Sequence, residues 1–233
     1  MSQFRAVSLP SFLLASMIGS AGMAADAEHP VVIELFQSQG CSSCPPANAN
    51  LNTIAGRADV LALSFAVTYW DRLGWKDIFA HPAFTARQWE YARAGERGNV
   101  STPQMIVNGR GVLIGHRGAE LADVIKRFDR GTGGPRIDAA PGRVTIGAGQ
   151  ARRPANVWLV RYDPRTRQVP IRAGENGGRT LPHRNIVRRI ELLGKWTGPL
   201  SSYPVARAAD PVWRSAILVQ DGAGGTILAA RGI

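Results

Sequence analysis

Apolar residues in this chain fall into two kinds of run, and the change comes near residue 131. In the first half, dense apolar stretches alternate with stretches of helical period. VVIELF (31–36) and VLALSFAV (60–67) are rich in β-branched and large apolar residues, the pattern of buried strands. Between them, ANANLNTIAG places Leu51, Ile54 and Ala55 at helical spacing and stops at Gly56. HPAFTARQWEYARAGERG (81–98) predicts a helix starting near Pro82, with Phe84, Trp89 and Ala92 among its apolar positions and Gly95 or Gly98 near its stop. QMIVNG (104–109) and GVLIGH (111–116) predict a hairpin turning at Asn108-Gly109, because both central residues of such a turn need positive φ. AELADVIKRF (119–128) sets Leu121, Val124, Ile125 and Phe128 on one helical face. The predicted order is β-α-β-α-β-β-α.

Beyond GTGGP (131–135), which has the composition of a linker, the runs become short and alternating: RVTIGAG, ANVWLVRY, RQVPIR, RNIVRRIEL, VWRSAILVQ and TILAA. DPRT (163–166) and DGAGG (221–225) are turn clusters. This predicts a second, mainly antiparallel β domain over residues 136–233, sandwich-like or a half-barrel, after an α/β domain over 26–131. GENGGRTLPH (174–183) is rich in glycine, but it does not follow a strand and open a helix. A phosphate-binding reading therefore fails, and the loop is expected to pack against the first domain.

The first 25 residues hold no acidic side chain. Arg5 is followed by the apolar SFLLASMIGSAGM and by the small residues Ala21, Ala24, Ala25 and Ala27. This predicts a secretory signal peptide (1–25) cleaved near Ala24–Ala27, and a periplasmic or secreted protein. The run is short and interrupted for a membrane anchor, and no later run reaches the roughly 18 apolar residues of a span.

The chain carries 28 Lys plus Arg against 17 Asp plus Glu, a net charge of +11. Residues 26–133 hold 11 basic and 11 acidic side chains; residues 134–233 hold 16 and 6. The excess thus belongs to the second half. An exported chain meets little nucleic acid, and no nucleic-acid motif is present, so a nucleic-acid partner is not expected. An acidic envelope surface is the partner that such a charge suits.

Only two cysteines are present, Cys41 and Cys44, too few for a disulfide scaffold or an all-cysteine zinc site. They lie where the first strand hands over to the first helix, and the helix is expected to begin at or near Cys41. A helix N-terminus stabilises an anion, so Cys41 is the expected nucleophile, with Cys44 three residues on to resolve a mixed disulfide. A stabilising disulfide is the plainer alternative, but closing so short a loop contributes little. YWDRLGWKDIFAHP (69–82) concentrates Tyr69, Trp70, Trp75 and Phe79, either as the wall of a substrate groove or as a cap on the core.

The element order, the Cys-x-x-Cys position and Pro103 before the third strand resemble the thioredoxin superfamily over residues 30–131. The stretches ELFQSQGCSSCPP, YWDRLGWKDIFAHPAFTARQ, STPQMIVNG and GENGGRTL further resemble secreted bacterial proteins grouped as domain of unknown function 1223. The second resemblance brings a thioredoxin-like assignment but no activity; the Cys41/Cys44 pair at a helix start with Pro103 opposite predicts a thiol–disulfide oxidoreductase acting on a protein dithiol or disulfide, with no cofactor beyond the pair. The thioredoxin-like resemblance implies a cis Thr102–Pro103 bond that sets the Thr102 backbone beside Cys41 to meet an extended client. Thioredoxins often bury a carboxylate in the first strand as a proton relay. Glu34 holds a comparable position, one residue further from the cysteines, and a solvent-facing carboxylate is the alternative. A non-enzymatic copper-binding or envelope assembly protein is the rival function, since soft thiolates suit Cu(I). Its ligands would be Cys41 and Cys44 completed by a histidine, His116 foremost, with His81 and His183 as the others.

Overall fold

The computed structural model describes residues 24–233. The signal-peptide reading of residues 1–25 lies outside the described residues except at Ala24 and Ala25.

β1 (Val31–Gln37) and β2 (Val60–Ala66) are wholly buried and run parallel, Val31 opposite Val60. Strands hidden on both faces need no polar alternation. α1 (Pro45–Ile54) connects them, and its two leading prolines sit where a helix has no use for their missing N–H groups. α2 (Pro82–Ala94) begins at His81, whose Nδ1 accepts the Ala83 N–H at 3.1 Å. β3 (Gln104–Val107) returns antiparallel to β1 and turns into β4 (Gly111–Leu113) through Asn108 at φ 47° and Gly109 at φ 71°. The Asn108 amide also binds outward. Its Oδ1 accepts the Val32 N–H at 2.8 Å and its Nδ2 donates to the Phe128 carbonyl at 2.9 Å. α3 (Gly118–Arg127) closes this half.

Alternation along β1 assigns its two faces. Ile33 and Leu35 meet Ala47 and Leu51 of α1 and Leu121 and Ile125 of α3. Val32 and Phe36 meet Phe65 of β2 and Phe84 and Tyr91 of α2.

The second half supplies β5 (Ile137–Ala140), β6 (Arg143–Ile146), β7 (Ala155–Asp163), β8 (Arg167–Pro170), β9 (Thr180–His183), β10 (Ile186–Trp196), β11 (Ser201–Pro204), β12 (Arg214–Asp221) and β13 (Ile227–Gly232). Its connection to the first half differs from the expectation of a separate domain behind a linker. Ile186 of β10 pairs in parallel with Ser64 of β2, and the Ser64 N–H donates to the Asn185 carbonyl at 2.9 Å. The result is one eight-stranded sheet, ordered β13-β12-β7-β10-β2-β1-β3-β4. One apolar cluster crosses the join, with Val160, Val187 and Leu218 beside Phe36 and Phe65. The 131–135 segment is tied down as well: Arg130 donates to the carbonyls of Pro30 and Gly133, both at 3.1 Å. Alternation gives a strand's two faces but not which sheet edge it joins.

A three-stranded sheet, β11-β6-β5, lies on the far part of the large sheet. Ile137, Val144 and Ile146 pack there with Val157, Ile217 and the buried Trp196. The β8–β9 hairpin stands apart and rests on Trp75 and Phe79 through Val169, Ile171 and Leu181. Among the described residues, no helix is long and apolar enough to cross a membrane.

Candidate active site at the Cys41–Cys44 turn

After β1 the chain tightens into successive turns. The Cys41 N–H donates to the Ser38 carbonyl at 3.2 Å, the Cys44 N–H to the Cys41 carbonyl at 3.2 Å, and the Asn48 N–H to the Cys44 carbonyl at 3.0 Å. α1 therefore starts one turn later than expected. Cys44 is its cap and Cys41 precedes it, because the prolines at 45 and 46 take the first helical positions. Both cysteines are buried free thiols.

Their surroundings drive the two thiols apart. Cys41 is lowered from the ordinary 9.0 to about 6, chiefly by a hydrogen bond from the Cys44 thiol, against the opposing effect of burial. The Ser43 hydroxyl, Thr102 and the Ser43 backbone N–H add to the lowering. Ser43 Oγ lies 3.2 Å from Cys41 Sγ. Cys44 is pushed far up by burial and then by its bond to Cys41. One sulfur is thus a ready thiolate and the other a proton-holding thiol. Cys41 gains its low value from discrete donors around the sulfur rather than from a seat inside the helix.

The Thr102–Pro103 peptide bond is cis. It sets the Thr102 carbonyl 3.8 Å from Cys41 Sγ. Trp70 Nε1 donates to Thr102 Oγ1 at 2.7 Å, and Trp75 Nε1 donates to Gln39 Oε1 at 2.9 Å. Thr102, Pro103, Trp70 and Trp75 are therefore gathered around the cysteine turn, with both indoles half-buried at its edge. Asp77, from the same aromatic segment, accepts the Gln39 N–H at 2.8 Å, and burial pushes its carboxyl up to about 6.

Two participants had no diagnostic spacing in the sequence. Glu175 and Asn176, on the β8–β9 loop, bind the backbone of Ser42 and of Gln39 and Cys41. The glycines around them in GENGG mark a built loop expected to pack on the first half, but nothing local names the cysteine turn as its target.

Glu34 corrects the solvent-facing reading and also lies away from the cysteines. It is buried on the α2 face of β1, whereas α1 packs on the other face. Arg87 grips it with two bonds, Nε to Oε1 at 2.6 Å and Nη2 to Oε2 at 3.0 Å, and the Tyr91 hydroxyl donates to it too. Arg87 also donates to Gln220 at 3.2 Å and lies 5.4 Å from the Trp158 ring centroid. No cysteine is among the hydrogen-bond partners of Glu34.

The histidines are dispersed. His116 is exposed, His81 caps α2 and His183 is buried beside Phe79. Among the described residues, no three His, Cys, Asp or Glu side chains are placed to hold a metal ion, so the Cys41, Cys44 and His116 set is not assembled.

The family described as "Protein of unknown function (DUF1223)" matches residues 32–220. The chain belongs to this DUF1223 family. Among solved structures, protein AGR_C_4864 of Agrobacterium tumefaciens is 31% identical, with 90% of this chain and 94% of that one covered at a TM-score of 0.74. HBP35 of Porphyromonas gingivalis shares the fold at 14% identity and a TM-score of 0.59, over 91% of this chain and 76% of that one. No curated protein matches this DUF1223 chain in sequence.

Proposed function

We infer that this DUF1223 protein is an exported thiol–disulfide oxidoreductase with a thioredoxin-like first half, acting on protein dithiols or disulfides. One observation carries the reading: two adjacent buried thiols with opposite proton affinities, beside the Thr102 carbonyl and cis-Pro103. A thiolate is the nucleophile in exchange, and a structural cysteine has no need of a lowered value.

In the reducing direction, Cys41 thiolate attacks a client sulfur. The Cys41–client bond forms as the client disulfide breaks, and the second client sulfur leaves as a thiolate. Cys44 then loses its proton to that thiolate and attacks Cys41 Sγ, which releases the first client sulfur. Two electrons pass to the client and the protein keeps a Cys41–Cys44 disulfide. Oxidation of a client runs the same steps backwards. The negative charge of Cys41 is one cause of the high value of Cys44. That cause vanishes once Cys41 is in a mixed disulfide, so Cys44 becomes easier to ionise when its attack is due. On this reading the cysteine pair is itself the redox group, and the reduction potential sets the direction.

The Cys44→Ser variant, incubated with a periplasmic extract and resolved without reductant, tests the assignment. Mixed disulfides formed through Cys41 and absent from the Cys41→Ser variant support it. No mixed disulfide, together with a Cys41 that titrates near 9.0, overturns it.

For the second half we propose contact with an acidic envelope surface. Arg165, Arg184 and Arg214 of this half line, with Arg57 of the first, a cavity of about 500 Å³, and of these four Arg57 and Arg165 are paired with Asp59 and Asp163. Binding to anionic vesicles that weakens with added salt supports this contact; salt-independent binding or none overturns it.

A further inference from the structure

We propose that Asn176 and Glu175, on the β8–β9 loop, are positioning residues that hold the backbone of the cysteine turn and so decide which donors face Cys41 Sγ. The inference rests on the redox reading and deepens it, by making a loop of the second half part of the same site.

The Asn176 side chain is fully buried. Its Nδ2 donates to two carbonyls of the turn, Gln39 at 2.9 Å and Cys41 at 2.8 Å. Arg179 Nη1 donates to Asn176 Oδ1 at 2.7 Å, which fixes the amide with its nitrogen toward the turn. Each amide hydrogen and the oxygen therefore has a partner, and a carboxylate in its place would set oxygen against two carbonyls. Glu175 takes the next amide. Its Oε2 accepts the Ser42 N–H at 3.0 Å and the Ser42 hydroxyl at 2.6 Å. Gln39, Cys41 and Ser42 are thus held by two adjacent side chains more than 130 residues away in sequence.

The loop has the shape this task requires. Gly174 at φ 74° and Gly178 at φ 82° stand in the left-handed region on either side of the two side chains. The Gly178 N–H donates to the Ile171 carbonyl at 2.8 Å and the Arg179 N–H to the Asn176 carbonyl at 3.1 Å. A Cβ on Gly174 would stand 3.1 Å from Trp75 Cβ, so the loop is seated against the base of the tryptophan whose indole binds Gln39.

The clamp has a chemical consequence at the sulfur. With Ser42 N–H committed to Glu175, the amide that serves Cys41 Sγ is that of Ser43. The Ser43 hydroxyl, Cys44 thiol and Thr102 converge on the same sulfur. A turn free to rotate loses that convergence, and fewer donors mean a smaller thiolate fraction. Glu175 also places a negative charge one residue from Cys41, which opposes ionisation. Its removal alone acts the other way.

The test follows the alkylation rate of Cys41 in the reduced mature chain against pH, read by mass spectrometry at the Cys41 peptide. Asn176→Ala is expected to slow alkylation at pH 6 by about three-fold or more and to move the midpoint upward. Glu175→Gln, which keeps an acceptor for Ser42, is expected to move the midpoint slightly downward, an effect that added salt removes. Arg179→Met, which frees the amide oxygen while leaving the loop glycines in place, gives the Asn176 effect in weaker form if Asn176→Ala does not fold. Wild-type midpoints in Asn176→Ala, or in Arg179→Met and Glu175→Gln together, overturn the proposal and leave the redox reading standing. A wild-type Cys41 that itself titrates near 9.0 overturns the redox reading instead.

Discussion

The indole nitrogen of Trp70 donates to the hydroxyl of Thr102 over 2.7 Å, and the Thr102 side chain is among the groups that lower Cys41. An aromatic side chain of the loop after β2 thereby reaches Cys41 through one intermediary. A hydrogen bond to a charged group is worth about 1.5 kcal/mol or more, roughly ten-fold in the ionisation equilibrium and about five-fold in the thiolate present near a midpoint of 6. Thr102→Val should therefore reduce the Cys41 alkylation rate at pH 6 about five-fold. Trp70→Phe should reduce it less, because the Thr102 hydroxyl remains. Equal rates in all three proteins would remove Trp70 and Thr102 from the chemistry.

The bond from the Cys44 thiol is the largest cause of the low Cys41 value. Cys44→Ala should raise the Cys41 midpoint from about 6 towards the ordinary 9.0, measured as thiolate absorbance at 240 nm across pH. Absorbance that still rises near pH 6 in this variant would mean that the other donors suffice without Cys44.

Arg87 and Glu34 are a buried charge pair with little solvent to replace either partner. Removing one member of such a pair costs about 3–5 kcal/mol. Arg87→Met and Glu34→Gln should both lower the midpoint of urea unfolding, while the Cys41 titration stays in place. A Cys41 midpoint that moves with Glu34→Gln would restore the proton-relay role to Glu34.

His183 is buried with no hydrogen-bond partner on either ring nitrogen, and burial lowers it from 6.5 to about 4. The unfolded chain accepts this proton below about 6.5, whereas the folded chain refuses it until about 4. Stability should therefore fall as pH drops through that window, by about 3 kcal/mol in all from this group. His183→Leu should flatten this part of the curve of unfolding free energy against pH. An unchanged slope between pH 6.5 and 4 in the variant would assign the acid sensitivity to other groups.

The parts of the fold that were legible from residues are those whose cause is local. VVIELF and VLALSFAV declare buried strands, Pro82 marks a helix start, and Asn108-Gly109 dictates the turn between β3 and β4. The cysteine motif was legible for the same reason, the resemblance supplied the cis bond before Pro103, and Trp70 and Trp75 do reach the turn. What stayed hidden depends on partners distant in sequence. Glu34 looks like a strand-end carboxylate until Arg87, 53 residues on, is folded against it. Asn176 is one polar residue in a glycine-rich loop until its amide meets Cys41, 135 residues back. The edge at which β10 joins β2 is equally silent, because Ile186 and Val187 would be buried in many sheets.

That junction has a consequence for how the chain can be divided. Expressed alone, residues 26–133 would keep every cysteine-turn residue except Glu175, Asn176 and Arg179, yet β2 would lose the bonds that Asn185 makes to the Ser64 N–H and the Ala62 carbonyl on its outer side. A bare, apolar strand edge recruits another copy of itself. Cut away from the second half, the fragment that carries both cysteines is thus the one most prone to self-association.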